Sequence, residues 1–297
     1  VEARDIATIT FLATIWGASF LFMRVAAPEF GPIALIQLRV AIAALCLLPL
    51  LLYRYRSHLA WHTVPHLLVV GITNSALPFT LLAFATLHVS AGYTSLLNSS
   101  VPMWSALIAA IWLRDWLTRW QVFGVIVGFL GVLVLVQGRG QLNLEGPTLA
   151  IIACTGATFS YGLSANYTKR YLTGVHPVVM ATLSQLFAAL AMLPLTYYHW
   201  PEGPISAISW LYVALLGSLC TAFAYILFYR LIINVGPTRT VSVTLLVPVF
   251  AMLWGALLLD EKISSHMAVG CAIILTGTLF TLQILDPGRH KRARQKT

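Results

Sequence analysis

From Ile6 to Leu285 the chain is a succession of apolar stretches about 20 residues long, interrupted only by the short segments that carry most of its charge. A hydrocarbon layer about 30 Å thick is crossed by about 20 helical residues rising 1.5 Å each, so every stretch is long enough to span a bilayer. Boundaries at charge, Gly and Pro predict helices over 6–27, 33–53, 65–87, 91–112, 119–137, 146–167, 177–198, 209–231, 239–259 and 266–285. Hydrophobic residues make up 59% of the 297 positions and charged residues 9%, against roughly 25% charged in a soluble domain. Ten spans use about 200 residues at that length and leave only connections. The expectation is an all-α, polytopic membrane protein whose main solvent is lipid.

The formal charge of +9 does not point to nucleic acid, because the basic residues lie between apolar spans and not along one hydrophilic segment. With the N-terminus inside, fourteen cations fall on the cytoplasmic side and only Arg24, Arg139 and Lys262 on the other. Positive residues are retained in the cytoplasm, so both termini are expected there, in a bacterial-type inner membrane, with a basic tail over 287–297. The stretch from Ile6 to Ala27 has no basic leader and reads as a retained helix. Cys46, Cys154, Cys220 and Cys271 stand singly inside apolar runs and read as packing residues.

Comparing the chain with itself gives a second constraint. Residues 16–53 match 161–198 without a gap, and 67–136 match 213–282 after a one-residue shift. The pairs include Gly17 with Gly162, Pro32 with Pro177, Pro49 with Pro194, Gly71 with Gly217, Pro102 with Pro248, Gly124 with Gly270 and Gly131 with Gly277. Chance pairing of Gly and Pro at their abundance here predicts about 0.7 such matches, not seven. Five helices per half is an odd number, so the halves 1–140 and 141–286 are expected to enter the membrane in opposite directions. Such inverted repeats are common in secondary transporters, where exchanging the conformations of two halves exchanges the side to which the site opens.

The tract Trp16-Gly17-Ala18-Ser19-Phe20, Arg39, the prolines at 102 and 248, and the glycine tracts 124–131 and 270–277 resemble the drug/metabolite transporter superfamily. Within it they resemble the ten-helix EamA-type carriers, and among those the YddG-type amino-acid exporters. The resemblance covers nearly the whole chain. It implies a central cavity lined by helices 1, 3, 4, 6, 8 and 9, and metabolite export as the activity.

A site near the pseudo-twofold axis should use positions that correspond between the halves. Thr94, Asn98, Pro102 and Ser105 follow one another at helical spacing, and Thr240, Thr244, Pro248 and Ala251 stand at the matching places. These stripes face either a cavity or a neighbouring helix. Each proline removes one helical hydrogen bond and marks a flexible point or a static kink. Pro78 faces Ala224 in the comparison and has no such partner. Trp16 pairs with Tyr161, Phe79 with Tyr225, Trp104 with Phe250, and Ser19 with Ser164. Aromatic faces suit an amino-acid side chain or a cation, and equally ordinary packing. Arg39 lies about 9 Å into its helix, which allows snorkelling, a structural pair or a bond to a substrate carboxylate. Asn74, Asn166 and Gln185 are further polar residues within spans that can bond another helix.

All nine acids fall in connections or at helix ends, so no membrane-embedded carboxylate is expected for a proton relay. His58, His62 and His66 have i, i+4 spacing, but Pro65 interrupts them and no carboxylate accompanies them. No metal, cofactor or covalent chemistry is expected, and no nucleic-acid partner. The expected function is a secondary carrier that exports amino acids, aromatic ones among them, or similar small metabolites. A broad drug or quaternary-cation exporter, a solute channel, and a membrane-embedded enzyme or receptor are the rivals.

Overall fold

The computed structural model describes residues 3–138, 146–236, 240 and 242–285. The basic tail expected over 287–297, with Arg289, Lys291, Arg292, Arg294 and Lys296, lies outside the described residues, as do Arg139 and Arg239. The described residues contain no strand and form nine helical runs. They are α1 (Ala3–Leu50), α2 (Trp61–His88), α3 (Ala91–Trp112), α4 (Arg119–Gln137), α5 (Gly146–Tyr171), α6 (Pro177–Tyr198), α7 (Ala207–Val235), α8 (Ser242–Leu259) and the shorter α9 (Ser265–Thr281). Eight of the runs are long and apolar enough to cross a membrane. Leu45, Ile111, Leu133 and Leu257 point outward and remain more than half exposed. A surface ringed by such residues is one that lipid covers. The chain is a multi-pass membrane protein.

Several expected boundaries move, the expected 65, 167 and 231 becoming Trp61, Tyr171 and Val235, and two of the changes bear on the course of the chain. The connection predicted over 28–32 shrinks to Gly31, whose φ of 70° and ψ of 154° break an otherwise helical run. Glycine adopts that conformation without a Cβ penalty. A straight helix of 48 residues would be about 72 Å long, more than twice the hydrocarbon thickness. The run instead doubles back. Arg39 Nη1 lies 3.7 Å from Met23 Sδ, whereas residues sixteen apart on a straight helix are about 24 Å apart. The last helix ends at Thr281 and not at 285, and the chain leaves it through Gln283 at a φ of 56°.

Packing is closest where glycines meet. A Cβ on Gly124 would lie 2.5 Å from the Thr281 backbone nitrogen and 2.6 Å from the Gly277 carbonyl oxygen. The glycine tracts of α4 and α9 therefore serve intramolecular packing. Gly17 abuts Phe250 and Ala251 in α8, while Gly162 abuts Trp104 and Ser105 in α3. Likewise Gly71 abuts Ser184 in α6, and Gly217 abuts the carbonyl of Arg39.

The two prolines expected to share one local geometry do not. Pro102 is the second residue of the segment Val101–Trp112, which restarts α3 after a turn at Ser99 and Ser100. Proline's missing N–H leaves no helical bond unmade at that position. Pro248 lies inside the unbroken α8 and is buried. Two other irregularities do match, namely the wide π turns Ile72–Ala76 in α2 and Ser218–Phe223 in α7.

Candidate functional site

The two π turns position the most polar part of the interior. A wide turn leaves a backbone carbonyl without its usual helical donor, and side chains take its place. Trp16 Nε1 donates to the Cys220 carbonyl at 3.1 Å, and Ser160 Oγ donates to the Thr73 carbonyl at 2.7 Å. Beside Cys220, the Thr221 hydroxyl donates to the Leu216 carbonyl at 2.8 Å and accepts from Arg39 Nε at 3.0 Å.

Arg39 is 4% exposed, which removes snorkelling as its explanation. Its guanidinium carbon lies 3.8 Å from the centre of the Phe79 ring. The Phe79 and Tyr161 rings meet edge to face at 6.2 Å between centres. Tyr161 and Tyr225 are both close enough to act electrostatically on Arg39, and Tyr225 faces the side chains of Asn74 and Ser75. No ion pair joins Arg39 to a carboxylate among the described residues. Its positive charge is thus held by a ring face, a hydroxyl and a thioether, which leaves most of its five-donor fork unused.

Five of the expected residues, Arg39, Asn74, Phe79, Tyr161 and Tyr225, therefore come together, with Trp16 bonded one residue from Thr221. Pro78 is buried directly after the first π turn and sets the start of the segment that carries Phe79. Other expected residues are occupied elsewhere. Ser19 donates to the Trp16 carbonyl at 2.6 Å. Asn166 bonds the Ser105 carbonyl at 2.9 Å, and Gln185 bonds Ser75 Oγ at 2.8 Å, so both join helices. Asn98 Oδ1 and Ser164 Oγ are buried without a partner among the described residues. Pro102 lies beside the Ser99–Ser100 turn of α3, and Pro248 is packed within α8, on which Thr244 is exposed. Met23, Ser75, Cys220 and Thr221 complete the Arg39 surroundings and were not anticipated. Their sequence signal is slight, a pair of polar residues at 74–75 and 220–221 in matching halves.

The sequence pattern of the EamA-like transporter family matches residues 5–137 and again residues 148–283. An uncharacterized transporter of Archaeoglobus fulgidus is 24% identical over 91% of this chain and 95% of its own length. A protein of Streptantibioticus cattleyicolor named "Probable terminal-alkyne amino-acid exporter" is 23% identical over 89% of this chain and 88% of its own. The PecM protein of Dickeya dadantii is 24% identical over 94% of this chain and 93% of its own. A crystal structure aligned over 100% of both chains gives a TM-score of 0.67 at 17% identity, a likeness of fold. With both halves matched in turn, the chain belongs to the EamA-like transporter family of the drug/metabolite transporter superfamily.

Proposed function

We propose that the chain is a secondary carrier of the inner membrane that exports amino acids, aromatic ones among them, or similarly small metabolites by alternating access. In this reading α1 crosses twice, giving ten spans in two inverted five-helix halves with both termini in the cytoplasm. The correspondence of Gly17 on α8 with Gly162 on α3, and of the two π turns, supports that symmetry. Carrying needs no cofactor or covalent step.

The observation that carries the substrate assignment is the buried Arg39 without a carboxylate partner among the described residues. A desolvated guanidinium is costly unless an anion meets it, and its planar fork matches a carboxylate with two parallel bonds. Phe79, Tyr161, Tyr225 and Trp16 supply apolar walls with polar edges for the rest of an amino acid, and Asn74, Asn98, Ser164 and Thr244 supply polar contacts along the route. Ser19, Pro78, Pro102 and Pro248 shape the helices that bear them. A quaternary-cation exporter fits less well, because its substrate would meet a like charge.

Counterflow into proteoliposomes with labelled amino acids and with their decarboxylated amines tests this reading. Saturable exchange of amino acids, absent for the amines and abolished in Arg39→Gln, is the expected result. Equal exchange of both classes, or unchanged exchange in Arg39→Gln, counts against a carboxylate site. Non-saturating flux would instead indicate a channel.

A further inference from the structure

Two ion pairs occupy equivalent places in the two halves. Arg24 Nε is 4.0 Å from Glu261 Oε1, and Lys169 Nζ is 2.9 Å from Asp115 Oδ2. Position 24 matches 169 in the first aligned block, and 115 matches 261 in the second. Their turns match in backbone as well. Arg114 and Asp260 have φ of 55° and 53°. The N–H groups that follow return to the Ala109 carbonyl at 3.2 Å and to the Gly255 carbonyl at 3.1 Å. Each pair joins one half to the other, because the cation comes from one half and the acid from its counterpart.

The pairs differ in strength. Glu261 also accepts the Ala91 N–H at 2.9 Å and the Gly92 N–H at 3.4 Å, which satisfies the first turn of α3. Arg24 also donates to the Thr86 carbonyl at the end of α2. The Glu261 side chain is 15% exposed, whereas both members of the Lys169–Asp115 pair are 62% exposed. Solvent weakens the second pair far more than the first.

We propose that these four residues latch the two mouths of the carrier. Arg24–Glu261 opens when the site faces outward, and Lys169–Asp115 opens when it faces the cytoplasm. This rests on the alternating-access reading above. Both latches are closed in the structure, which is therefore occluded. The weaker inner latch yields first, so the resting population leans toward cytoplasmic opening, the side from which an exporter loads.

The test uses spin-label pairs at the exposed positions His88 and Lys262 on one face, and at the equivalent Asn234 and Trp116 on the other, in the full chain in proteoliposomes. Breaking the outer pair by Glu261→Gln, or by Arg24→Gln, which spares the Ala91 and Gly92 bonds, raises the outward-open population by roughly tenfold. Asp115→Asn raises the inward-open population by about two- to fivefold, as expected for an exposed pair. The reversed pair, Lys169→Asp with Asp115→Lys, restores the wild-type ratio. If the wild type exchanges solute and alternates while these variants shift nothing, or shift both faces alike, the latches are overturned and the carrier reading stands. A wild type with one distance at each face, with and without amino acid, overturns alternation and the latches together.

Discussion

His176 shows how one side chain can set a pH limit on a membrane helix. It precedes Pro177, and its Nδ1 accepts the Val178 N–H at 3.2 Å, which satisfies one of the unpaired donors at the start of α6. Tyr55 stacks on it at 4.3 Å between ring centres, and His58 stands at 4.9 Å. Partial burial lowers its pKa below the ordinary 6.5, and the neighbouring His58 lowers it further. A proton on Nδ1 would also remove the cap. The unfolded chain therefore takes up the proton first as pH falls. Stability from the neutral cap is complete above about pH 6.5, declines as pH drops toward the folded value, and is lost below it. Asparagine caps without titrating. Melting curves between pH 5 and 8 should thus show a smaller acid slope in His176→Asn than in wild type, and identical slopes would mean that the cap does not titrate.

Between elements, the seam of α4 and α9 offers a sharper measurement, because the obstacle to a larger residue is backbone and cannot rotate away. Gly124→Ala places a methyl 2.5 Å from the Thr281 nitrogen, and forcing the helices apart should cost about 1–3 kcal/mol. Gly156 is the control. A Cβ there meets only the tip of Leu81, at 3.4 Å, so Gly156→Ala should be neutral or stabilising by up to about 1 kcal/mol through helix propensity. Thermal unfolding in detergent compares the two, and equal melting points would mean that the seam is loose. The glycines of this seam were legible in the sequence because close approach of helices requires small residues at helical spacing. The unlike settings of Pro102 and Pro248 were not, because both are prolines in apolar runs and only the Ser99–Ser100 turn distinguishes them. The π turns were hidden for a related reason. They have no composition of their own, and their presence shows only in the carbonyls that Trp16 and Ser160 bond.

In the whole molecule, hydropathy located the spans because lipid acts on each residue separately, while the contacts that build the Arg39 cluster depend on which helices meet. Thr221 and Met23 look like any other small polar or apolar residue until α7 and the doubled-back limb of α1 bring them to Arg39. The acids illustrate the same limit. Among the described residues they fall in connections, at helix ends or, for Glu29, beside the break at Gly31, yet Glu261 proves to be largely buried among Arg24, Ala91 and Gly92. Orientation follows from counting. The turns at 113–118 and 259–264 share one backbone conformation, and α4, α5, α6, α7 and α8 lie between them in the chain. If each of these crosses the bilayer once, an odd number of crossings puts the two turns on opposite sides, however α1 is counted. In the proposed orientation, which rests on the loop charge bias, 113–118 lies in the cytoplasm. Cys46 is exposed while Cys154, Cys220 and Cys271 are buried, so Cys46→Ser gives a quiet background for labelling. In intact cells a membrane-impermeant maleimide should then react with Lys262→Cys, and with Trp116→Cys only after permeabilisation. Reaction of both from outside would mean that one of the five intervening helices does not cross, and the opposed arrangement of the two halves would fall with it.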